Sequence, residues 1–471
     1  MTAALHALST LSTDSLGDDH PARAIAGAVA GAGGRGLIVG GWVRDRLLGR
    51  TARDIDLEVY GLTPAQLVAL LDGFGGALSV GRSFPVYRVR GLDLEVSLPR
   101  ADSRRGVRAE VDPWLEFADA SRRRDCSVNA IGWDPLTGEL LDPLGGREDL
   151  AAGRLRACDP ERFADDPLRL LRVARLRAVL GLEPVPALSA LCGGLDLSSV
   201  AVERVFRELS RILLESDRPS RALEWLHAVD GLTSLRELAS LRGVPQDSGW
   251  HPEGDVWVHT LLVIDAAAGL RLGVHDDDLA LLWAALCHDL GKPACTHSAE
   301  GRVRALGHER VGAELTAALL ERLRAPLALA RVVVALVRHH LAPAALVREG
   351  ARARAYRRLA RRLAEAGTNC ELLERVARAD QLGRTTQDAL SGHFPSGDVF
   401  TERVRELAVA RGIPPDVVRG RDLLARGLAA GPEIGRLLLR CRAVQDSTGL
   451  REIDPIVERV LAQLPGSKTV E

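Results

Sequence analysis

The sequence predicts an α+β head of modest size followed by a long all-helical body. Three observations predict this. Short runs of alternating charged and apolar residues, the period of strands, crowd the first part of the chain. Helical period then takes over and strand signals nearly vanish. Gly, Pro and Ser gather near Ala157–Pro160, Gly243–Gly249 and Ser391–Asp398, where breaks are expected. A chain of 471 residues has room for about two to four domains. The expected segments are an N-terminal arm and helix (1–35), the head (36–156), a helical neck (157–245), a second helical domain (246–390) and a helical tail (391–471).

Each element has its own signal. Residues 1–20 are polar and without period, an accessory arm. An Ala/Gly-rich helix follows from Pro21. Gly36-Leu-Ile-Val-Gly-Gly is an apolar strand running into a glycine turn, and Val43–Leu48 is helical. Arg53–Tyr60 is a strand, Gln66–Gly73 a helix, and Ala77–Val80, Val86–Arg90 and Leu92–Leu98 are strands. Beyond about residue 150 the helical segments are Leu168–Leu180, Val202–Glu215, Ser220–His227, Val256–Ala268, Asp278–Cys287, Glu309–Arg324, Pro326–His340, Ala353–Ala366 and Glu371–Gln381.

Composition narrows the function classes. The chain is 46% hydrophobic and 27% charged, ordinary for a soluble globular protein. Aromatics make up only 4%, so aliphatic side chains must fill the core. A net charge of −1 excludes a uniformly basic nucleic-acid binder; any RNA is held by local patches. Seven cysteines without a C-x-x-C pair, no signal-peptide pattern and no long uncharged apolar run lead to the expectation of a cytoplasmic protein with no membrane partner.

The sharpest local feature is Asp54-Ile-Asp-Leu-Glu-Val. Residues two apart on a strand share a face, so Asp54, Asp56 and Glu58 project one way while Ile55, Leu57 and Val59 enter the core. Like charges on one face repel, and Mg²⁺, which takes oxygen ligands, relieves that repulsion. Leu92-Asp-Leu-Glu-Val repeats the pattern. If the two strands are neighbours, Glu95 completes a three-carboxylate site able to hold metals for phosphoryl transfer. A D-x-D alone more often marks a solvated acidic face. The upstream Gly40-Gly41-Trp-Val-Arg44-Asp45 changes that balance: a glycine turn opening a helix exposes N–H groups that suit a phosphate, and Arg44 adds a fork of donors.

The whole string from Leu37 to Asp56 resembles the opening motif of the class II tRNA nucleotidyltransferase and bacterial poly(A) polymerase family, with its polymerase β-like head. The resemblance implies that Asp54 and Asp56 hold Mg²⁺ and that Gly41 and Arg44 contact the incoming nucleotide; Gly40 of the same turn is counted with them, and Glu95 stays the third catalytic carboxylate of the strand pattern. Ser121-Arg-Arg-Arg-Asp-Cys-Ser-Val-Asn-Ala resembles the family's R-R-D-x-x-x-N-A segment and places Arg124 and Asn129 at the nucleotide. Leu141-Asp-Pro-Leu-Gly-Gly resembles the link from head to neck, and Glu203-Arg-Val-Phe-Arg-Glu-Leu a neck motif. Asp165-Asp-Pro-Leu-Arg-Leu-Leu-Arg resembles E-D-x-x-R-x-x-R, with Asp165 in place of the usual Glu. Read as helix, Asp166, Arg169 and Arg172 share one face; by spacing alone an ordinary surface ion pair is the commoner outcome. The resemblance implies that Asp166 and Arg169 read the base edge, while Arg172 is better placed for the triphosphate.

A second constellation lies in the helical body. His288-Asp289, followed by Leu-Gly-Lys, resembles the signature of HD metal-dependent phosphohydrolases, so 246–390 is expected to be an HD domain. A single helical His is more often structural; several at matching positions point to a metal. Trp250-His-Pro-Glu-Gly-Asp-Val-Trp-Val-His259 and Arg378-Ala-Asp380 resemble the entry and the last helix of that domain in bacterial CCA-adding enzymes. By that match His259, His288, Asp289 and Asp380 are core ligands of a divalent metal, with His308 and His340 for a second; His339 is weaker. The implied activity is hydrolysis of 2′,3′-cyclic phosphates or nucleotides.

For RNA contact the candidates are Arg100, Arg104, Arg105 and Arg108, and the helix bearing Arg352, Arg354, Arg357, Arg358, Arg361 and Arg362, for which a solvated basic face is equally open. Val417–Gly435 resembles a tail motif of helix–turn–helix pattern. Val80-Gly-Arg-Ser-Phe-Pro-Val-Tyr-Arg-Val looks like the CCA-adding form, and the G-R-R-F-R-L string of the poly(A) form is absent. The resemblance therefore implies CCA addition to the tRNA 3′ end from CTP and ATP. A-adding or poly(A) enzymes of the same family are the near alternatives, and an HD phosphohydrolase with an RNA-binding head is the distant one. Oligomeric state is not encoded in any of these motifs.

Overall fold

The apolar run before the glycine turn forms strand β1 (Arg35–Val39), and its neighbour β2 (Ile55–Tyr60) carries Asp56 of the D-x-D pair, with Asp54 immediately before it. The computed structural model describes residues 11, 16–17, 20–52, 54–80, 86–102, 109–299 and 302–463. Most of the expected N-terminal arm, residues 81–85 of the segment that favours CCA addition, and Arg104, Arg105 and Arg108 lie outside the described residues. The chain divides into two units, residues 1–200 with 225–234, and residues 201–224 with 235–471.

The first unit is built on a mixed seven-stranded sheet. Its order is β3-β4-β5-β2-β1-β8-β9, with β3 Ala77–Val80, β4 Val86–Val89, β5 Leu94–Ser97, β8 Gly132–Trp133 and β9 Leu140–Leu141. A separate ribbon pairs β6 (Arg100–Asp102) with β7 (Ala109–Val111). Within the sheet only β2 and β5 run parallel. Leu37, Ile38 and Val39 are all buried, as an apolar run on an inner strand requires. The helix Pro21–Gly31 packs on β1 with Ala22, Ile25, Ala26 and Val29, one stripe at helical spacing. Gly36 permits that approach, because a Cβ there would lie 3.2 Å from the Cβ of Ala26. Burying a side chain such as Ile25 contributes about 1.5–3 kcal/mol. Trp42 and Trp133 stack at 5.4 Å between centroids and tie the helix Gly41–Leu47 to β8.

In the second unit the central helix is His275–Cys287, buried at every position from Asp278 to Cys287. It starts one turn before the expected Asp278. Asp276, Asp277 and Asp278 then occupy the first turn, where carboxylates suit the helix dipole, and Asp278 accepts from the N–H groups of Leu272 and Gly273. Around it pack Val256–Gly269, His308–Arg322, Leu327–His339 and Cys370–Leu382. Asp255 and Asn369 cap two of these helices by accepting from the N–H groups of Val258 and Leu372. Strand structure persists more than periodicity predicts, in a hairpin of Thr296–Ala299 with Arg302–Ala305. The run Leu327–Arg348 is long and apolar enough to cross a membrane by length and composition. One face of it, with Val333, Leu336 and Val337, packs on the His275–Cys287 and His308–Arg322 helices, and 28% of its most apolar stretch is buried. The tail forms helices Gly420–Leu424, Pro432–Thr448 and Ile453–Leu461 around its own cluster of Val418, Leu423, Leu437, Cys441, Ile456, Val457 and Val460.

The basic helix Ala353–Ala366 splits its arginines between two uses. Arg361 pairs with Asp416 and Asp446, and Arg357 donates to the Asp446 carbonyl, so these two hold the tail. Arg352, Arg354, Arg358 and Arg362 are exposed.

Candidate active site and metal centre

The head site begins with strand register. β2 and β5 are adjacent, and Asp56 lies directly opposite Glu95. Alternation buries Ile55, Leu57 and Val59 and leaves Asp54 and Asp56 on the open face. Burial, opposed by Arg124 but reinforced by Glu95, Asp54 and Glu58, pushes the Asp56 carboxyl up to about 6. Carboxylates crowded on one face, only partly offset by Arg124 and Arg88, are the oxygen donor set a hard divalent metal fits. Glu95 also carries an exposed 2.7 Å ion pair to Arg88. Glu58 shares the face but is engaged elsewhere, accepting from the Tyr60 hydroxyl at 2.7 Å and from Arg124 at 3.3 Å.

The glycine turn lies against this face. Gly40 adopts φ 78°, ψ −136°, a conformation side chains rarely reach. A Cβ on it would sit 3.2 Å from the Arg124 guanidinium and 3.7 Å from an Asp56 oxygen. The positive φ is what calls for glycine, and a side chain there would also have to displace the Arg124 guanidinium. Gly41 opens the helix that bears Arg44.

Arg44 is buried and donates to Asp45 at 2.8 Å and to the Asn129 carbonyl oxygen at 2.6 Å. Asn129 donates to Asp125 at 2.8 Å, and Asp125 accepts from Arg172 at 2.6 Å. Four expected or adjacent residues thus form one chain, Arg44–Asn129–Asp125–Arg172. Asp125 is its hub, a residue that sequence reasoning quoted in its motif but gave no role. Burial works against its charge, yet Arg172, Asn129 and the Cys126 N–H outweigh it and hold the Asp125 carboxyl well below the usual carboxylate range. Arg172→Ala leaves that carboxylate buried without its main partner, and is expected to destabilise the unit by about 3 kcal/mol at pH 7. The folded value is depressed, so the contribution is present above the unfolded pKa of about 3.9 and is lost as pH falls below it. Urea unfolding followed by tryptophan fluorescence should therefore show the variant's deficit shrinking from pH 7 toward pH 3.

One expectation is corrected. Asp166 is not on the helix with Arg169 and Arg172. The helix begins at Arg169, a 3-10 turn spans Phe163–Asp165, and Asp166 is extended (φ −126°, ψ 95°) between them. Pro167 explains this, because the residue before a proline avoids helical ψ. Asp166 accepts from the Leu168 N–H at the helix start. Arg169 donates to three carbonyls, those of Arg162 (2.7 Å), Phe163 (3.3 Å) and Arg123 (2.6 Å), which fixes its guanidinium.

The second unit gathers all six metal-ligand candidates. His259, His288 and Asp289 form one group and Asp289, His308 and His340 another, each with ligand atoms mutually within 4.8 Å and all residues buried. Asp380 joins through a 3.1 Å contact to His259 Nε2. Asp289 is the hub, 3.1 Å from His288 Nε2, 3.3 Å from His308 Nε2 and 2.7 Å from Lys292 Nζ. The Nδ1 atoms of His288, His308 and His340 each meet the backbone carbonyl three residues earlier, at 2.7–2.8 Å. Their buried Nε2 atoms and both Asp289 oxygens have no hydrogen-bond partner. Inward imidazole nitrogens gathered around one buried carboxylate, with no well-formed hydrogen bond to satisfy them, fit a divalent metal. Burial and the neighbouring His288 and His308 push His340 down to about 3, keeping it neutral as ligation requires. His339 is not in the cluster; burial, Arg362 and Arg338 hold its pKa near about 4. Sequence reasoning missed Glu253 and Lys292, both of which touch ligands.

A cavity of about 680 Å³ opens onto this cluster. Asp289, His308, His340 and Asp380 face it, with Lys292, Arg304, Arg348 and Arg384 as cations around them. Metal ligands under a ring of cations suit a phosphorylated ligand of nucleotide size.

Comparison with known proteins assigns a family model to each of the two regions. Residues 37–156 match the poly A polymerase head domain and residues 256–384 the HD domain. The multifunctional CCA protein of Leptothrix cholodnii is 38% identical over 428 residues, covering 87% of this chain and 95% of that protein. The chain belongs to the multifunctional CCA protein family. Its relative from Paracidovorax citrulli is 35% identical, covering 92% of this chain and 99% of the relative. Among solved structures, a CCA-adding enzyme with CTP superposes with TM-score 0.60 at 17% identity, covering 98% and 97% of the two chains. The Thermotoga maritima CCA-adding enzyme complexed with tRNA gives 0.58 at 16%, covering 98% of each. These likenesses establish that this family member has the polymerase head and the helical HD-containing region in one fold.

Proposed function

We propose that this family member adds CCA to the 3′ end of tRNA from CTP and ATP, and that its HD domain is a metal-dependent phosphohydrolase. The observation that carries the first part is the register placing Asp56 opposite Glu95, beside a glycine turn that only glycine can make. Asp54, Asp56 and Glu95 would hold Mg²⁺, which when bound neutralises triphosphate charge and activates the RNA 3′-hydroxyl. The turn at Gly40 and Gly41 offers backbone N–H groups to phosphate. Arg124, against that turn, is steadied by Glu58, and Arg44 and Asn129 are steadied by the Asp125 hub. Arg169, clamped by three carbonyls, retains two of its five N–H donors by inventory. With Asp166 beside it, such a rigid fork is suited to reading a base edge without a nucleic-acid template.

The segments 36–156, 157–245, 246–390 and 391–471 serve as catalytic head, neck, HD domain and tail in this reading. The HD cluster would hold a divalent metal that supplies Lewis acidity toward a phosphoryl oxygen. Exposed Arg352, Arg354, Arg358 and Arg362 offer phosphate contacts for the RNA. All seven cysteines are free thiols, which supports a reducing, cytoplasmic setting.

Single-turnover extension tests the reading. Purified chain with Mg²⁺ is given tRNAs ending at the discriminator base, at C or at CC, with CTP, ATP or both. Growth to CCA followed by a stop is expected. Extension from CC with ATP alone would make it an A-adding enzyme, and long A tails on any RNA a poly(A) polymerase. No extension by the folded protein would move its function to the HD domain.

A further inference from the structure

His259 differs from the other imidazoles of the cluster. His288, His308 and His340 orient through a backbone carbonyl three residues back. His259 instead presents Nδ1 to a carboxylate oxygen of Glu253 at 2.8 Å. That carboxylate is buried, at 1% side-chain exposure. The same oxygen lies 2.9 Å from His251 Nδ1. The other oxygen accepts from the Thr385 N–H at 3.1 Å and its hydroxyl at 3.5 Å. Thr385 follows the helix that carries Asp380, whose carboxylate meets the far nitrogen of His259 at 3.1 Å.

Resting on the reading of this cluster as a metal centre, we infer that Glu253 is a positioning residue: it fixes the tautomer of His259 and sets the spacing of His259 against Asp380. With Nδ1 turned to the Glu253 carboxylate, His259 presents Nε2 inward, 3.1 Å from Asp380 and 3.9 Å from Asp289, and a bound metal would take the lone pair of that nitrogen. A carboxylate behind a ligating imidazole also raises its basicity, and removing such an outer partner typically weakens metal binding by about 10–100-fold. A buried carboxylate is costly unless it is satisfied. Glu253 meets that cost by joining three segments, the approach to the Val256–Gly269 helix, that helix itself and the turn after Asp380. A purely structural brace would have no need to face the ligand's own ring nitrogen.

The test uses the full chain, stripped by a chelator and titrated with Co²⁺, with affinity and the visible absorption of the bound ion as readouts. Glu253→Gln keeps the shape and removes the charge. It is expected to weaken Co²⁺ binding about 10–100-fold and to alter the absorption band, with thermal unfolding and nucleotide incorporation by the head unchanged. Glu253→Asp restores part of the affinity. His251→Ala removes the other histidine but leaves the Glu253–His259 contact, and should stay within about threefold of wild type. Wild-type affinity and spectrum in Glu253→Gln would overturn the inference and leave the metal centre standing. Equal losses in Glu253→Gln and His251→Ala, or a loss that tracks a fall in Tm and in incorporation, would also overturn it, assigning Glu253 to packing. Wild-type protein that takes up no Co²⁺ would overturn the metal centre itself, and this inference with it.

Discussion

Replacing Asp54 and Asp56 together with alanine is expected to lower nucleotide incorporation at the RNA 3′ end by about 10³-fold or more, since metal stabilisation of the reacting charge contributes several kcal/mol. Phosphohydrolysis by the second unit should be unchanged. The separation matters because the same substitutions should not unfold the head. Asp56 joins the sheet through its backbone, which alanine keeps, and among the described residues neither side chain carries a hydrogen bond of the sheet. Asp56 is strained toward its protonated form by burial and by Glu95, Asp54 and Glu58, so removing the repulsion should leave Tm unchanged or slightly raised. Loss of activity with Tm intact therefore identifies ligands rather than scaffold. Glu95→Gln should cost less, because Glu95 divides its charge between the shared face and Arg88. Incorporation that persists in the double variant, measured with saturating Mg²⁺ and CC-ended tRNA, would sink the assignment of the D-x-D pair.

The carboxylate face was legible because strand period is local: alternation alone places Asp54 and Asp56 on one side and Leu57 on the other. That Glu95 stands opposite Asp56 depended on strand adjacency, which the sequence permits but does not state. Parallel pairing of β2 and β5 decides it. Residues defined by a partner far along the chain were hidden. Asp125 gains its role only when folding brings Arg172 and Asn129 to it. Glu253 lies in the quoted His-Pro-Glu-Gly string, but nothing there says that its carboxylate will face an imidazole. Asp166 failed for a local reason, since its proline neighbour overrides the i, i+3 pattern that suggested a helix. The hairpin Thr296–Ala305 was missed because four residues a side give too few alternations to stand out.

Replacing His288 and Asp289 with alanine should produce the mirror image, loss of metal uptake and of phosphohydrolysis with nucleotide incorporation intact. Asp289 is the residue the cluster can least spare. Its two oxygens contact His288, His308 and Lys292 within 3.3 Å, and His259 at 3.9 Å. Burial opposes its charge, but His288, Lys292 and His308 hold the carboxyl well below its usual range, so it is an anion at every physiological pH. Without it Lys292 is left nearly buried, with the 2.6 Å bond from its ammonium to Gln246 but no carboxylate ion pair among the described residues, and some loss of stability in this unit is expected. Asp289→Asn is therefore the sharper probe: it keeps the volume, removes the charge and separates metal loss from collapse. Elemental analysis of the purified variants, alongside hydrolysis of a 2′,3′-cyclic nucleotide, reads both consequences. Undiminished hydrolysis in these variants would place any such activity outside the cluster. Metal retained with hydrolysis lost would instead confine Asp289 to handling the phosphate, and shift ligation onto His259, Asp380 and the remaining imidazoles.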